Sequence, residues 1–167
     1  KWVQKYIFYA DTNGVNLSDE IKSWAIDNKE RFMMLLSLDG TPGTHNFNRS
    51  NSFDLIDLDF FINHWPNQGV KMTISDQRLE HLAEDIIFLH SKGLKIKGAN
   101  IAEGFVIKDF EKKYEIIKQQ FQILIDWYIS HPEIEVAQIF DLKLSLCESH
   151  KKERIKITFI GMTACVP

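Results

Sequence analysis

MMLLSLDGTPGTHNFNR (Met33–Arg49) runs from an apolar segment through a Ser-Leu-Asp-Gly corner into a segment rich in His, Asn and Arg. A strand with one wet face alternates apolar and polar residues, whereas a parallel strand covered on both faces reads as a continuous apolar run. Met33–Leu36 has the second pattern. Ser37–Gly40 is then the carboxyl end of a buried parallel strand, and the segment to Arg49 is a loop beyond it.

The same alternation of strand and helix extends in both directions. Upstream, KYIFYA (Lys5–Ala10) is a short aromatic and β-branched strand ended by the turn-rich DTNG. LSDEIKSWAIDNK follows as a helix, with Ser18 as N-cap and acids in its first turn. Downstream, SFDLIDLDFFINHW carries a helical stripe with Ser52 as the candidate cap, stopped by Pro66. VKMTIS (Val70–Ser75) is a strand. DQRLEHLAEDIIFLHSKG is an amphipathic helix closed by Gly93, with His81 and His90 expected on its surface. LKIKGANIAEG is a further strand and loop, and DFEKKYEIIKQQFQILIDWYISHP is the longest helix, stopped by Pro132. EVAQIFDLKLSL reads as strand-like, followed by a charged ESHKKER and an apolar IKITFIGM. The pattern predicts an α/β fold of about four parallel βα units over residues 1–132. Residues 133–167 are a C-terminal extension.

Composition narrows the possibilities without naming a function. The 167 residues are 44% hydrophobic with a formal net charge of −3, so a packed core is expected and no global field points to nucleic acid or an anionic membrane. No apolar run reaches the roughly 18 residues of a membrane span, and the N-terminus lacks the shape of a signal peptide. The two cysteines, Cys147 and Cys165, are too few for a disulfide scaffold and match no common zinc spacing. The expectation is a cytoplasmic domain.

In parallel α/β folds, ligands sit outside the carboxyl ends of the strands. Those ends are DTNG, SLDG, MTIS and GANIAEG, all polar or glycine-containing. Thr12, Asn13, Ser37, Asp39, Thr73, Ser75, Asn100 and Glu103 are therefore expected to converge on one mouth. This set suits a polar small molecule with hydroxyls, an amine and a carboxylate. Arg49, twelve residues beyond Ser37, has the reach to return as a carboxylate clamp. Dinucleotide-binding, Walker and nucleophile-elbow motifs are absent.

TNG (Thr12–Gly14), SLDGTPGTHNFNR (Ser37–Arg49), VKMTIS (Val70–Ser75) and NIAEG (Asn100–Gly104), in this order, resemble part of a radical S-adenosylmethionine (radical SAM) enzyme. The likeness is to the SPASM-type group, which includes anaerobic sulfatase-maturating enzymes and peptide-modifying relatives, and it covers roughly Tyr6 to Gly104. It implies a partial (β/α) barrel and two cofactors, S-adenosyl-L-methionine and a [4Fe-4S] cluster. It further implies reductive cleavage of S-adenosylmethionine to a 5′-deoxyadenosyl radical that modifies a peptide or protein. By the same likeness, Ser37 and Arg49 meet the aminoacyl part of S-adenosylmethionine. Asp39 shapes the corner or meets ribose, Thr12 and Asn13 line the cleft, and Asn100 passes near adenine.

The family's C-x3-C-x2-C motif and its Gly-Gly-Glu-type stretch do not occur, so the cluster ligands are not in this chain. Cys165 is a candidate ligand for an auxiliary cluster. The chain is accordingly expected to be a fragment of the barrel core, inactive alone, associating with itself through exposed sheet edges. Two further readings stand beside it. One is a non-catalytic α/β binding or regulatory domain. The other, ranked last, is an ordinary barrel enzyme with acid and base drawn from Asp39, Glu103 and His45.

Overall fold

The computed structural model describes residues 6–66, 69–101 and 110–138. Glu103, Cys147, Cys165 and the apolar IKITFIGM lie outside the described residues, as does most of the extension 133–167; of the run EVAQIFDLKLSL expected to be strand-like, only Glu135–Gln138 is described, and it forms no strand. Four strands form one all-parallel sheet: β1 (Phe8–Thr12), β2 (Phe32–Ser37), β3 (Val70–Ile74) and β4 (Ile96–Ile101), in the spatial order β1-β2-β3-β4. Helices α1 (Asp19–Asp27), α2 (Pro42–Asn48), α3 (Leu58–His64) and α4 (Leu82–Ser91) lie between strands, and α5 (Phe110–Ser130) follows β4. Sequential order without reversal, built from right-handed crossovers, puts every connection on the same face of a sheet.

Burial follows that rule. Met34 and Leu36 of β2 and Val70, Met72 and Ile74 of β3 are buried, together with Leu38, Ile86, Leu89 and Leu94. Each fully buried Leu or Ile of this kind contributes roughly 1.5–3 kcal/mol. The residues between them, Met33, Leu35, Ser37, Lys71 and Thr73, are only half-buried. The sheet therefore has one helix-covered face and one more open face. The continuous apolar run of β2 looks two-sided in sequence, but its Met33/Leu35 side is the less covered one. At the sheet edge, Phe8 and Tyr9 of β1 are 64% and 69% exposed.

Local chemistry explains most helix boundaries. Ser18 caps α1 by accepting from the Ile21 N–H, with Asp19 and Glu20 in the first turn as expected. The helix expected from Ser52 begins later. A 3-10 turn spans Phe53–Leu55, and α3 is capped instead by Asp57, which accepts from the Phe60 N–H. Ser52 precedes the 3-10 turn but makes no cap bond; its hydroxyl meets His45 instead. The helix predicted from Asp76 is a 3-10 segment to His81 and α-helical only from Leu82. No side chain at its own N-terminus caps α4; the Ala83 N–H donates to Gln120 Oε1 of α5 instead. Gly93 (φ +74°) ends α4, with the Leu94 N–H reaching back to the Leu89 carbonyl.

His90 corrects the surface expectation. It is buried, its Nδ1–H donates to the Leu94 carbonyl at 3.2 Å, and Nε2 lies 2.8 Å from the Tyr128 hydroxyl. Beside it, Trp127 of α5 stacks on both His90 and His131. The turn after α5 is held to β4 by Glu135, whose hydrogen bonds to Lys95 and Lys97 keep its carboxyl down at about 2.

Candidate functional site

The segment after β2 is a helix rather than the loop its Gly-, His- and Asn-rich sequence suggests. Thr41 is the N-cap, accepting from the Thr44 N–H at 3.4 Å, and Pro42 occupies the first turn. Seven residues later the chain has turned back on itself, and Asn48 and the C-cap residue Arg49 return to the end of β2.

Asp39 is the point they return to. Its side chain is 1% exposed, and both of its oxygens accept hydrogen bonds. Oδ2 accepts from Arg49 Nε at 2.7 Å, and Oδ1 accepts from Arg49 Nη2 at 2.9 Å and from the Thr73 N–H at 2.9 Å. Asn48 Nδ2 adds longer bonds of 3.3 Å to Oδ2 and to the Thr73 carbonyl. Arg49 Nη2 also donates to Thr73 Oγ1 at 3.3 Å. The pair is bidentate and tied to β3, the geometry in which an Arg–carboxylate contact is strong and directional. Of the two roles expected for Asp39, the corner is the one its contacts fill.

His45 and Asp85 hold the corner from behind. His45 is fully buried; Nδ1 accepts from the Asp39 N–H at 3.3 Å, so the proton sits on Nε2, which donates to Ser52 Oγ at 3.2 Å. Burial pushes its pKa below the ordinary value. With its lone pair committed to a backbone N–H, His45 has none left to activate Ser52 as a base would. The acid–base set of Asp39, Glu103 and His45 thus loses two members to structural duties. Asp85 of α4 accepts from both the N–H and the hydroxyl of Thr41, each at 2.8 Å, while burial pushes its pKa up. Gly40 (φ +118°) lies against Asp85 so closely that a Cβ there would overlap the aspartate's Cβ and carboxyl.

The sheet register sorts the other candidates. Ser37 pairs with Lys71, so Ser37, Lys71 and Thr73 share the more open face at the carboxyl ends, and the Asn100 backbone pairs alongside Thr73. Thr12 pairs with Leu36 and points to the helix-covered face. Its Oγ1 accepts from the Gly14 N–H and Asn13 Oδ1 accepts from the Val15 N–H, both as local turn contacts. The structure thus brings Ser37, Asp39, Arg49 and the Asn100 backbone together, and turns Thr12 away. One participant, Lys71, was not assigned from sequence, and Thr73, expected at the mouth, takes a larger part than a lining residue. Lys71, second in β3, reaches Asp11 at 2.5 Å across β2, and Thr73 holds both Asp39 and Arg49. Only strand register, not spacing, relates Lys71 to Asp11.

Among the described residues, the charges nearest Ser37 and Thr73 pair off as Asp39–Arg49 and Asp11–Lys71. What remains open is the Nη1 edge of Arg49 and the Ser37 hydroxyl, neither with a partner among the described residues, and the buried Ser75 Oγ, also without one. A buried, unpaired hydroxyl is uncommon in a folded chain. Among the described residues no three His, Cys, Asp or Glu side chains gather to hold a metal ion.

The two buried imidazoles make stability pH-dependent. Burial lowers the pKa of both His45 and His90. A base with a depressed native pKa binds fewer protons folded than unfolded. Its contribution is therefore complete above the unfolded value near 6.5 and is lost as pH falls through the native values. The urea midpoint should drop between pH 7 and pH 5, and His90→Asn should flatten part of that slope. An unchanged slope in His90→Asn would remove His90 from the account.

No helix among the described residues is long and apolar enough to cross a membrane. Compared with protein-family models, curated proteins and solved structures, the chain matches none of them.

Proposed function

We propose that the mouth at the carboxyl ends of β2 and β3 binds the aminoacyl end of S-adenosylmethionine, in a radical SAM enzyme that modifies a peptide or protein. The observation that carries this reading is Arg49, fixed by Asp39 and Thr73 on the face of Ser37 with its Nη1 edge unspent. Nη1–H and the Ser37 hydroxyl are the donors for a carboxylate. Each cation of the mouth among the described residues, Arg49 and Lys71, has an acidic partner, which favours a zwitterionic amino acid group over a phosphate, since a phosphate needs cations without acidic partners. Sequential parallel strands with helices on one face support a segment of a (β/α) barrel as the setting. In the family, a [4Fe-4S] cluster supplies the electron for reductive cleavage. The described residues contain no cysteine and do not fit that group, so they are assigned binding and orientation of the aminoacyl end alone.

The complete gene product, purified and reconstituted anaerobically, should bind S-adenosylmethionine and release 5′-deoxyadenosine on addition of dithionite. Arg49→Ala should weaken binding by about 10- to 100-fold, the worth of a charge-assisted hydrogen bond. Binding without 5′-deoxyadenosine, despite an intact cluster, would favour the non-catalytic binding domain. No binding at all would overturn the assignment of the mouth.

A further inference from the structure

We infer that Asp39, assisted by Thr73, is a positioning residue that aims Arg49 and thereby sets the site's preference for a carboxylate-bearing ligand; the inference rests on the aminoacyl reading above. An arginine on a strand-end loop ordinarily samples many rotamers, and ordering it costs binding energy. Here that ordering is complete in the free protein. Nε–H and both Nη2 hydrogens are spent on Asp39 and Thr73, so three of the five guanidinium hydrogens fix the plane of the group. Asp39 is itself immobile, because it is buried and held by the Thr73 N–H and by Asn48. The two hydrogens on Nη1 therefore point in one direction, set by groups that never touch the ligand.

Charge adds to geometry. With Asp39 beside it, Arg49 exerts little net long-range attraction, and Lys71 is likewise matched by Asp11. An anion is then not drawn in by field alone. It binds only if it places an acceptor where Nη1 points, and a ligand lacking that acceptor leaves the donor unmatched. Discrimination between ligands with and without a carboxylate follows from the fixed donor.

The experiment compares S-adenosylmethionine with decarboxylated S-adenosylmethionine on the complete gene product, by equilibrium binding. The readout is the ratio of their dissociation constants, which a general loss of stability does not move. The parent protein should prefer the carboxylated ligand by at least about 10-fold. Asp39→Asn keeps an acceptor for the Thr73 N–H but not the bidentate pair, and its ratio should fall to about 1–3. Thr73→Val removes only the contact to Nη2, preserves the strand, and should lower the ratio about 2- to 3-fold. A folded Asp39→Asn protein with the parental ratio overturns the inference; so does a parental ratio in Thr73→Val if Asp39→Asn does not fold. A parent protein that binds neither ligand overturns the aminoacyl reading itself. Parental discrimination that both variants retain leaves that reading standing and removes only Asp39.

Discussion

Gly40→Ala is expected to lose about 3 kcal/mol or more of folding stability, the sum of backbone strain and steric overlap. The backbone at Gly40 has φ +118°, a conformation that L side chains rarely adopt. The added methyl would also meet Asp85 at its Cβ and carboxyl, atoms too close to α4 to swing aside. Relief requires the corner to move off α4, which breaks the two Thr41–Asp85 bonds. For a domain with a typical stability of about 5–15 kcal/mol the loss is a large fraction of the total. Urea denaturation measures it. A midpoint within about 0.3 M of the parent would contradict the packing described, given an m-value of about 1–3 kcal/mol/M.

Asp39→Ala is the second large effect, expected at about 3 kcal/mol. Removing one partner of a buried ion pair costs more than the pair contributes, because the remaining groups stay desolvated. Here the remaining groups are the Arg49 guanidinium and the Thr73 N–H. The Arg49 side chain is 28% exposed, so water recovers part of the loss and places the estimate at the low end for buried pairs. The double variant Asp39→Ala/Arg49→Ala should regain at least about 1 kcal/mol over the single variant. If the double variant is the less stable of the two, the pair is not coupled as the geometry requires.

The strands and most helices were legible because their signals are local. Ser18 and the two acids after it mark the start of α1 without reference to any other element. Helix α2 was not legible, since Gly43, His45, Asn46 and Asn48 are weak helix formers. Its support is tertiary, through Thr41 to Asp85, His45 to Asp39 and Asn48 to β3. Ser52 misled for a related reason. A serine before an apolar run looks like a cap, but here its hydroxyl serves a buried histidine. At the site, Arg49 was recognisable as a cation able to swing back, and the polar strand ends as a mouth. That Asp39 would be its partner, that Thr12 would face the helices and that Lys71 would cross to Asp11 all depend on register. Register is fixed by which face the core buries, not by residue spacing.

The way Asp39 gathers its partners also bears on the order of folding. Its contacts reach Arg49 at a separation of 10 residues and Thr73 at 34, all within the single unit β2–α2–α3–β3. Short loops close at low entropic cost, and regions of low contact order form early and open late as cooperative units. Among the described residues, neither the edge strand β1 nor the long helix α5 contributes a side chain to Asp39. The Asp39 corner is thus a local unit in the chain as well as the support of the binding mouth, with Asp85 of α4 as a brace from outside.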